Sequence, residues 1–208
     1  MKAFIYVGGE IFADTITQFP KGDDLKISAD CGYENAKKLG VIPDFAVGDF
    51  DSGSKNELPR ETEIIEVPAE KDFTDTELAL DVAIERGADY IVIIGGLSGR
   101  LDHTMANLSL LEKLWQKGIR ALITDGKNQA RYVERTSELI PASGFKYLSL
   151  ISADREAKGV SVEGCKYPLK NARLERVNNS FTTSNEILKN CALVSVKKGG
   201  LYIIESKD

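Results

Sequence analysis

Residues 89–118 read DYIVIIGGLSGRLDHTMANLSLLEKLWQKG, and this stretch decides the fold. The nearly all-apolar run Tyr90–Ile94 is typical of a strand that is covered on both faces, as strands of parallel sheets are. A helix is predicted from about residue 102 to 117, because apolar residues recur one turn apart and Gly118 follows. The stretch therefore predicts a strand, a glycine-rich turn and a helix, which is the repeating unit of an α/β fold.

The same alternation of strands and helices extends over residues 1–126. Further strands are predicted at Phe4–Val7, Leu25–Ala29, Phe45–Gly48, Ile64–Val67 and Ile119–Thr124. A short helix is predicted at Glu34–Leu39, and a longer helix follows Thr74, which forms a capping-box pattern with Glu77. We therefore expect a parallel-sheet α/β catalytic domain at residues 1–126.

After about Gly126 the pattern changes to short β-like runs without a convincing helix. The runs are Ala130–Val133, Lys146–Ile151, Val160–Val162, Ala192–Val196 and Leu201–Ile204. Residues that favour turns separate them, namely Pro141, Gly144, Gly159, Gly164, Asn178 and Asn179. This pattern predicts a C-terminal all-β sandwich domain at residues 127–208.

The composition argues against several classes of protein. The 208 residues carry a net charge of −5, whereas proteins that bind nucleic acids are usually basic. No apolar run approaches the roughly 18 residues of a membrane span, and the N-terminus lacks a secretory-signal pattern. Three cysteines without a CxxC pair and a single histidine disfavour a disulfide scaffold or a zinc site. We expect a cytoplasmic protein that binds neither nucleic acid nor membrane.

Aspartates recur where predicted strands end or where the next helix begins. They are Asp30, Asp49, Asp51, Asp72, Asp75 and Asp102. Because ligands of open α/β sheets bind outside the carboxyl ends of the strands, these carboxylates are expected along one edge. Crowded carboxylates repel one another, and a divalent cation removes that penalty. The set predicts an oxygen-ligated Mg²⁺ site beside phosphates, although each aspartate alone is more typical of a helix cap or turn.

The segment GGLSGR, residues 95–100, supports a phosphate site. Gly95, Gly96 and Gly99 allow a sharp turn and a close approach of the backbone to a ligand. The helix N-terminus that follows attracts anions, and the guanidinium of Arg100 fits phosphate oxygens. The segment matches neither the dinucleotide fingerprint nor the Walker A loop, and alone it is compatible with an ordinary turn.

Five segments taken together, in this order, resemble the thiamine pyrophosphokinase family. They are SADCG, PDFAVGDFDS, KDFTDTELAL, GGLSGRLDH and the C-terminal SNE. The resemblance implies an α/β catalytic domain, a β-sandwich domain, and a homodimer that binds thiamine at the subunit interface. It implies that the thiamine hydroxyl attacks the β-phosphorus of ATP and that AMP leaves.

The resemblance also implies roles for individual residues. The magnesium ligands would be Asp30, Asp49, Asp51 and Asp75, of which the last three, with Arg100, would be catalytic. ATP would be bound by Lys71, Asp72, Gly95, Gly96, Gly99, Arg100 and Asp102. Thiamine would be bound by Tyr167, Ser184 and Asn185, and Tyr167 stands where many members carry tryptophan. Cys31 stands where the family usually has glycine.

Three other functions are compatible with parts of this pattern. A pyrophosphokinase of the same fold could act on another alcohol, such as a hydroxymethylpterin. A module that binds a nucleotide or thiamine without catalysis would need the same pockets. A phosphohydrolase would release free phosphate or pyrophosphate instead of thiamine diphosphate.

Overall fold

The computed structural model describes residues 1–50, 58–68 and 73–208. Two compact units divide the chain, residues 1–126 and residues 127–208. Asp51, Lys71 and Asp72, to which the sequence assigns metal or ATP binding, lie outside the described residues.

A parallel sheet forms the centre of the first unit. Its strands are β1 (Lys2–Tyr6), β2 (Leu25–Ala29), β3 (Phe45–Gly48), β4 (Glu63–Glu66), β5 (Tyr90–Ile94) and β6 (Arg120–Thr124). They lie in the order β4-β3-β2-β1-β5-β6, and every neighbouring pair is parallel. The strand order reverses between β1 and β5, and in open α/β sheets ligands bind at such a point, outside the carboxyl ends of the strands.

In the described part of this unit, the sheet is accompanied by the α-helices α1 (Tyr33–Lys38), α2 (Asp75–Glu85) and α3 (Leu101–Gln116). The predicted capping box at the start of α2 is confirmed. Thr74 Oγ1 accepts a hydrogen bond from Glu77 N at 3.2 Å, and Glu77 Oε2 accepts one from Thr74 N at 3.3 Å. Among the described residues, no helix is both long and apolar enough to span a membrane.

The second unit consists of antiparallel strands. They are β7 (Asn128–Glu134), β8 (Ser137–Pro141), β9 (Tyr147–Ser152), β10 (Glu156–Glu163), β11 (Leu169–Glu175), β12 (Cys191–Ser195) and β13 (Gly200–Ser206). They pair in the orders β7-β13-β9 and β11-β10-β12-β8. Residues 127–208 are all described and contain no α-helix, only a short 3-10 turn at Ser180–Thr182. The predicted fold class, an α/β part followed by an all-β part, is confirmed.

Two expectations for the second unit were wrong in detail. Pro141 and Gly159 were expected in turns, but Pro141 ends β8 and Gly159 lies within β10. β8 is an edge strand of its sheet. Proline has no N–H group, and on the unpaired side of an edge strand no hydrogen bond to a neighbouring strand is lost. Gly159 has a φ of +67° and coincides with a shift in the β10–β11 register, as expected for a bulge.

Candidate active site

The ends of β2 and β3 bring two of the predicted aspartates to neighbouring positions. Asp30 directly follows β2, and Asp49 directly follows Gly48 at the end of β3. Because Ala29 pairs with Val47, Asp30 lies beside Gly48. A Cβ atom at Gly48 would approach Asp30 Cα to 3.3 Å, so a glycine lets the two strand ends pack closely. The sheet register therefore aligns the two carboxylates along its carboxyl edge.

The first residue of α2 contributes to the same region. Burial raises the pKa of the Cys31 thiol, and the negative charges of Asp30 and Asp75 raise it further. α2 packs against β2 and β3, so its first residue, Asp75, lies near enough to the loop after β2 for its charge to act on the same thiol as Asp30. Asp30 and Asp75, which are 45 residues apart in sequence, are thus brought into one electrostatic environment.

Strained backbone accompanies these aspartates. Asp30 has a φ of +46° and Phe50 a φ of +51°, both in the left-handed region that favours glycine. Phe50 is buried, so its side chain anchors the backbone next to Asp49. Such conformations cost about 1–3 kcal/mol each and persist where the surrounding structure enforces them, most often at functional sites.

The glycine-rich turn after β5 lies against the loop after β1. Gly96 N donates a hydrogen bond to Gly8 O at 2.9 Å. Gly95 has a φ of +101°, and a Cβ atom there would lie only 2.5 Å from Val7 O. Ser98 Oγ accepts a hydrogen bond from Glu10 N at 2.6 Å. Gly95 is buried and no larger residue fits there, so this glycine lets the turn after β5 pack closely against the loop after β1 where the strand order reverses.

Two buried asparagines hold these loops. Asn35 on α1 donates from Nδ2 to Val7 O at 2.7 Å and to Gly9 O at 2.9 Å. Asn107 on α3 donates from Nδ2 to Gly96 O at 3.1 Å. Neither asparagine was predicted as a site residue. The sequence carried a signal for them, because an asparagine on the apolar face of a helix needs a hydrogen-bond partner when it is buried.

Arg100 and Asp102 form an ion pair at the start of α3. Arg100 Nε and Nη2 donate to the Asp102 carboxylate at 3.1 and 2.5 Å, and Asp102 also accepts from His103 N at 3.0 Å. The hydrogen bond from Arg100 lowers the pKa of Asp102. Both side chains are exposed. The ion pair orients the Arg100 guanidinium at the N-terminus of α3, where anions are favoured.

The described carboxylates fit part of a magnesium coordination sphere. Among residues 1–50, 58–68 and 73–208, no three His, Cys, Asp or Glu side chains gather closely enough to hold a metal ion. Mg²⁺ in phosphate-transfer sites is typically bound by one or two carboxylates, with water and substrate phosphates as the remaining ligands. The all-oxygen donors Asp30, Asp49 and Asp75 suit that requirement, and Asp51 lies outside the described residues.

The second unit brings the three predicted thiamine-binding residues together. Asn185 Oδ1 accepts a hydrogen bond from Tyr167 N at 3.0 Å, and Asn185 Nδ2 donates to Tyr167 O at 2.8 Å. The neighbouring Ser184 has a φ of +58°, and its N–H donates to Ser149 Oγ at 3.0 Å. The Tyr167 side chain is 58% exposed. An aromatic ring therefore projects from a turn fixed by buried hydrogen bonds.

Both parts of the chain match models of known protein domains. Residues 16–123 match the catalytic domain of thiamin pyrophosphokinase, and residues 136–201 match its vitamin B1 binding domain. The chain belongs to the thiamine pyrophosphokinase family. The two matches coincide with the α/β part and the all-β part of the fold, so the family named from the sequence motifs is confirmed.

Similar proteins support the same assignment along the whole chain. The thiamine pyrophosphokinase of Bacillus subtilis is 31% identical over 198 residues, which is 93% of this chain and 92% of that protein. The crystal structure of a Bacillus subtilis thiamine pyrophosphokinase superposes with a TM-score of 0.89 at 28% identity, covering 100% of both chains. That of Geobacillus thermodenitrificans superposes with a TM-score of 0.85 at 28% identity, covering 100% of this chain and 98% of the other. The enzyme class expected from the motifs is confirmed.

Proposed function

We propose that this protein transfers the pyrophosphoryl group of ATP to the hydroxyl of thiamine, forming thiamine diphosphate and AMP, with Mg²⁺ as cofactor. One observation carries the proposal: the aspartate loops and the glycine-rich turn follow strands of one parallel sheet and share its carboxyl edge. That edge is where phosphate-bearing ligands bind in such folds.

The carboxylates would hold the cofactor. Asp30, Asp49 and Asp75 would bind Mg²⁺ or its waters, and Asp51 would complete the set. When bound, Mg²⁺ neutralises phosphate charge and orients the phosphate oxygens. The strained backbone at Asp30 and Phe50 would hold the carboxylates of Asp30 and Asp49 in place before substrate arrives, which would lower the cost of binding.

The glycine-rich turn and the start of α3 would bind the phosphates of ATP. Gly95 and Gly96 pack the turn against the protein, because their N–H groups donate to Thr124 O and Gly8 O. The exposed Gly99 and the first N–H groups of α3 would therefore approach the phosphate oxygens. Arg100 would stabilise the charge that develops during transfer, because its guanidinium is already oriented by Asp102. Lys71 and Asp72 would add polar contacts to the same ligand.

Thiamine would be held by the second unit, through the ring of Tyr167 and by Ser184. We propose a cytoplasmic homodimer in which the substrate site lies at the subunit interface. A tyrosine ring offers a flat apolar face for an aromatic heterocycle, although it is smaller than that of tryptophan.

The decisive experiment is incubation of the purified protein with ATP, thiamine and Mg²⁺. Equal amounts of AMP and thiamine diphosphate are expected, and none when Mg²⁺ is chelated. Asp49→Asn and Asp75→Asn should each lower kcat/KM by at least about a hundredfold, since each removes charge stabilisation from the transition state.

Asp14→Asn is the matched control, because it removes an exposed carboxylate outside the predicted site and should leave activity unchanged. Release of phosphate or pyrophosphate without thiamine diphosphate would contradict the proposal. So would faster turnover of a hydroxymethylpterin, or binding of both substrates without any product.

A further inference from the structure

A short antiparallel ladder connects residues 164–167 with residues 185–188. Leu188 N donates to Gly164 O at 2.9 Å, and Lys166 N donates to Glu186 O at 2.9 Å. Cys165 and Ile187 form an isolated bridge between them. In this register the next pair along the ladder is Tyr167 and Asn185.

Like Cys165 and Ile187, this pair falls at a position where the partners of an antiparallel ladder exchange no main-chain hydrogen bonds, and the main chain of Asn185 pairs with Leu148. Asn185 N donates to Leu148 O at 3.0 Å, and Leu148 N donates to Asn185 O at 2.7 Å. The contact with Tyr167 is made by the Asn185 side chain, whose carboxamide presents a donor and an acceptor side by side. It binds both main-chain groups of Tyr167, in the manner of a neighbouring strand.

The carboxamide is buried, whereas the ring that it supports is not. Asn185 is 9% exposed and Tyr167 is 58% exposed. Lys166 Nζ lies 5.7 Å from the centroid of the Tyr167 ring, so a cation occupies one face. Lys166 is itself held by Glu186 at 2.9 Å. The backbone of Tyr167 is thus fixed by hydrogen bonds, and one face of its ring is covered by Lys166, which Glu186 holds in place.

We propose that Asn185 is a positioning residue, which fixes the ring of Tyr167 for the aromatic substrate and acts on substrate binding through that ring. This inference rests on the proposed function, because it concerns how thiamine is held. Both Asn185 Oδ1 acceptor positions are used, by Tyr167 N and by Glu186 N at 2.9 Å. The oxygen is therefore not available to a ligand.

The test is a double-mutant cycle between positions 185 and 167, with thiamine affinity measured by calorimetry and KM by steady-state kinetics. Asn185→Ala should raise the Kd and KM for thiamine about tenfold, with KM for ATP and kcat nearly unchanged, because hydrogen bonds to the Tyr167 backbone are lost. In a Tyr167→Ala background, the same substitution should change thiamine affinity less than about twofold, because the ring is already absent.

Asn185→Asp serves as the second variant, since it keeps the acceptor for Tyr167 N and places an oxygen against Tyr167 O. It should weaken thiamine binding as Asn185→Ala does, and amide hydrogen exchange at Tyr167 should speed up in both variants. Thr182→Val is the matched control. Thr182 Oγ1 donates to Leu150 O at 2.7 Å in the same segment, so this variant should lower the Tm without changing thiamine affinity.

Two outcomes separate this inference from the proposed function. If the wild-type protein binds no thiamine, both are overturned. If the wild-type protein binds thiamine and forms thiamine diphosphate, but Asn185→Ala and Tyr167→Ala weaken binding by independent, multiplying factors, only the positioning role is overturned. In that case Asn185 contacts the substrate directly.

Discussion

Gly8 and Cys31 share a space that holds only one side chain. A Cβ atom at Gly8 would lie 2.6 Å from Cys31 Sγ, well inside van der Waals contact. Gly8 lies outside the left-handed region, so its backbone would accept alanine if the thiol were absent. The cysteine that stands where the resembled family usually has glycine therefore favours a glycine in the loop after β1.

Gly8→Ala should lower the free energy of unfolding by about 1–2 kcal/mol, because an extra methyl group in a packed contact forces the neighbouring side chain to shift. Cys31→Ala removes the Sγ atom, so the double variant Gly8→Ala/Cys31→Ala should recover most of that loss. Urea unfolding of the four proteins measures the coupling. Strictly additive losses would show that the two side chains do not compete for this space.

At the scale of elements, α2 depends on Glu77 at its first turn. Glu77 Oε1 accepts a hydrogen bond from Lys113 Nζ of α3 at 3.1 Å, and Glu77 Oε2 caps Thr74 N. Partial burial alone would raise the pKa of Glu77, but the hydrogen bonds from Lys113 and Thr74 outweigh it, and the pKa is lowered. A lowered pKa in the folded state means that the carboxylate stabilises the fold above its unfolded pKa.

Glu77→Gln keeps the shape of the capping box and removes the charge. At pH 7 it should lower the free energy of unfolding by about 0.5–1 kcal/mol. The difference should shrink as the pH falls from about 4.3, the ordinary value for glutamate, through the lower folded pKa. Urea unfolding at pH 7 and below pH 4 checks this. Asp81→Asn, which breaks the more exposed pair with Lys117, should have a smaller effect at both pH values. If Glu77→Gln lowered the free energy of unfolding equally at both pH values, the predicted role of the Glu77 charge would be wrong.

Elements with a strong local pattern were predictable from the sequence, whereas the two edge strands β8 and β11 were not. The apolar run of β5 and the capped start of α2 carry their structure in adjacent residues. β11 was missed because its charged residues interrupt the alternation of an amphipathic strand. Arg173 binds Glu156 at 2.7 Å and Glu175 at 2.9 Å, and such charges protect an exposed sheet edge from pairing with other chains.

A cavity of about 480 Å³ opens beside this edge, lined by Arg155, Glu156, Arg173, Glu175, Arg176 and Val177. One of its guanidinium groups, that of Arg173, pairs with two carboxylates. These three charges therefore serve the sheet edge.

The candidate site was predictable to the extent that its residues sit at strand ends. Asp30 and Asp49 follow directly from the sequence order of strand and loop, as does the glycine-rich turn after β5. The partners of Asn35, Asn107 and Asn185 could not be predicted, because they depend on which loops meet after folding. Tyr167 and Asn185, for example, are 18 residues apart and become neighbours only through the register of the ladder.

At the scale of the whole molecule, the two substrates are assigned to different parts of the chain. The residues proposed for ATP and Mg²⁺ belong to the first unit, and those proposed for thiamine belong to the second. If the substrate site lies at a subunit interface, a complete site takes its metal ligands from one subunit and its aromatic residue from the other. Two differently damaged subunits could then form one intact site between them.

Asp49→Asn and Tyr167→Ala should each be strongly impaired alone, and an equimolar mixture after subunit exchange should recover activity. With random exchange about half of the dimers are mixed, and each mixed dimer has one intact site, so about a quarter of wild-type activity is expected. Analytical ultracentrifugation establishes the dimer, and exchange is followed with a differently tagged subunit. A mixture of Asp49→Asn with Asp75→Asn is the matched control, because both changes lie in the same unit and no intact site can form. If mixed dimers are present and activity stays at the level of this control, the site is not shared between subunits.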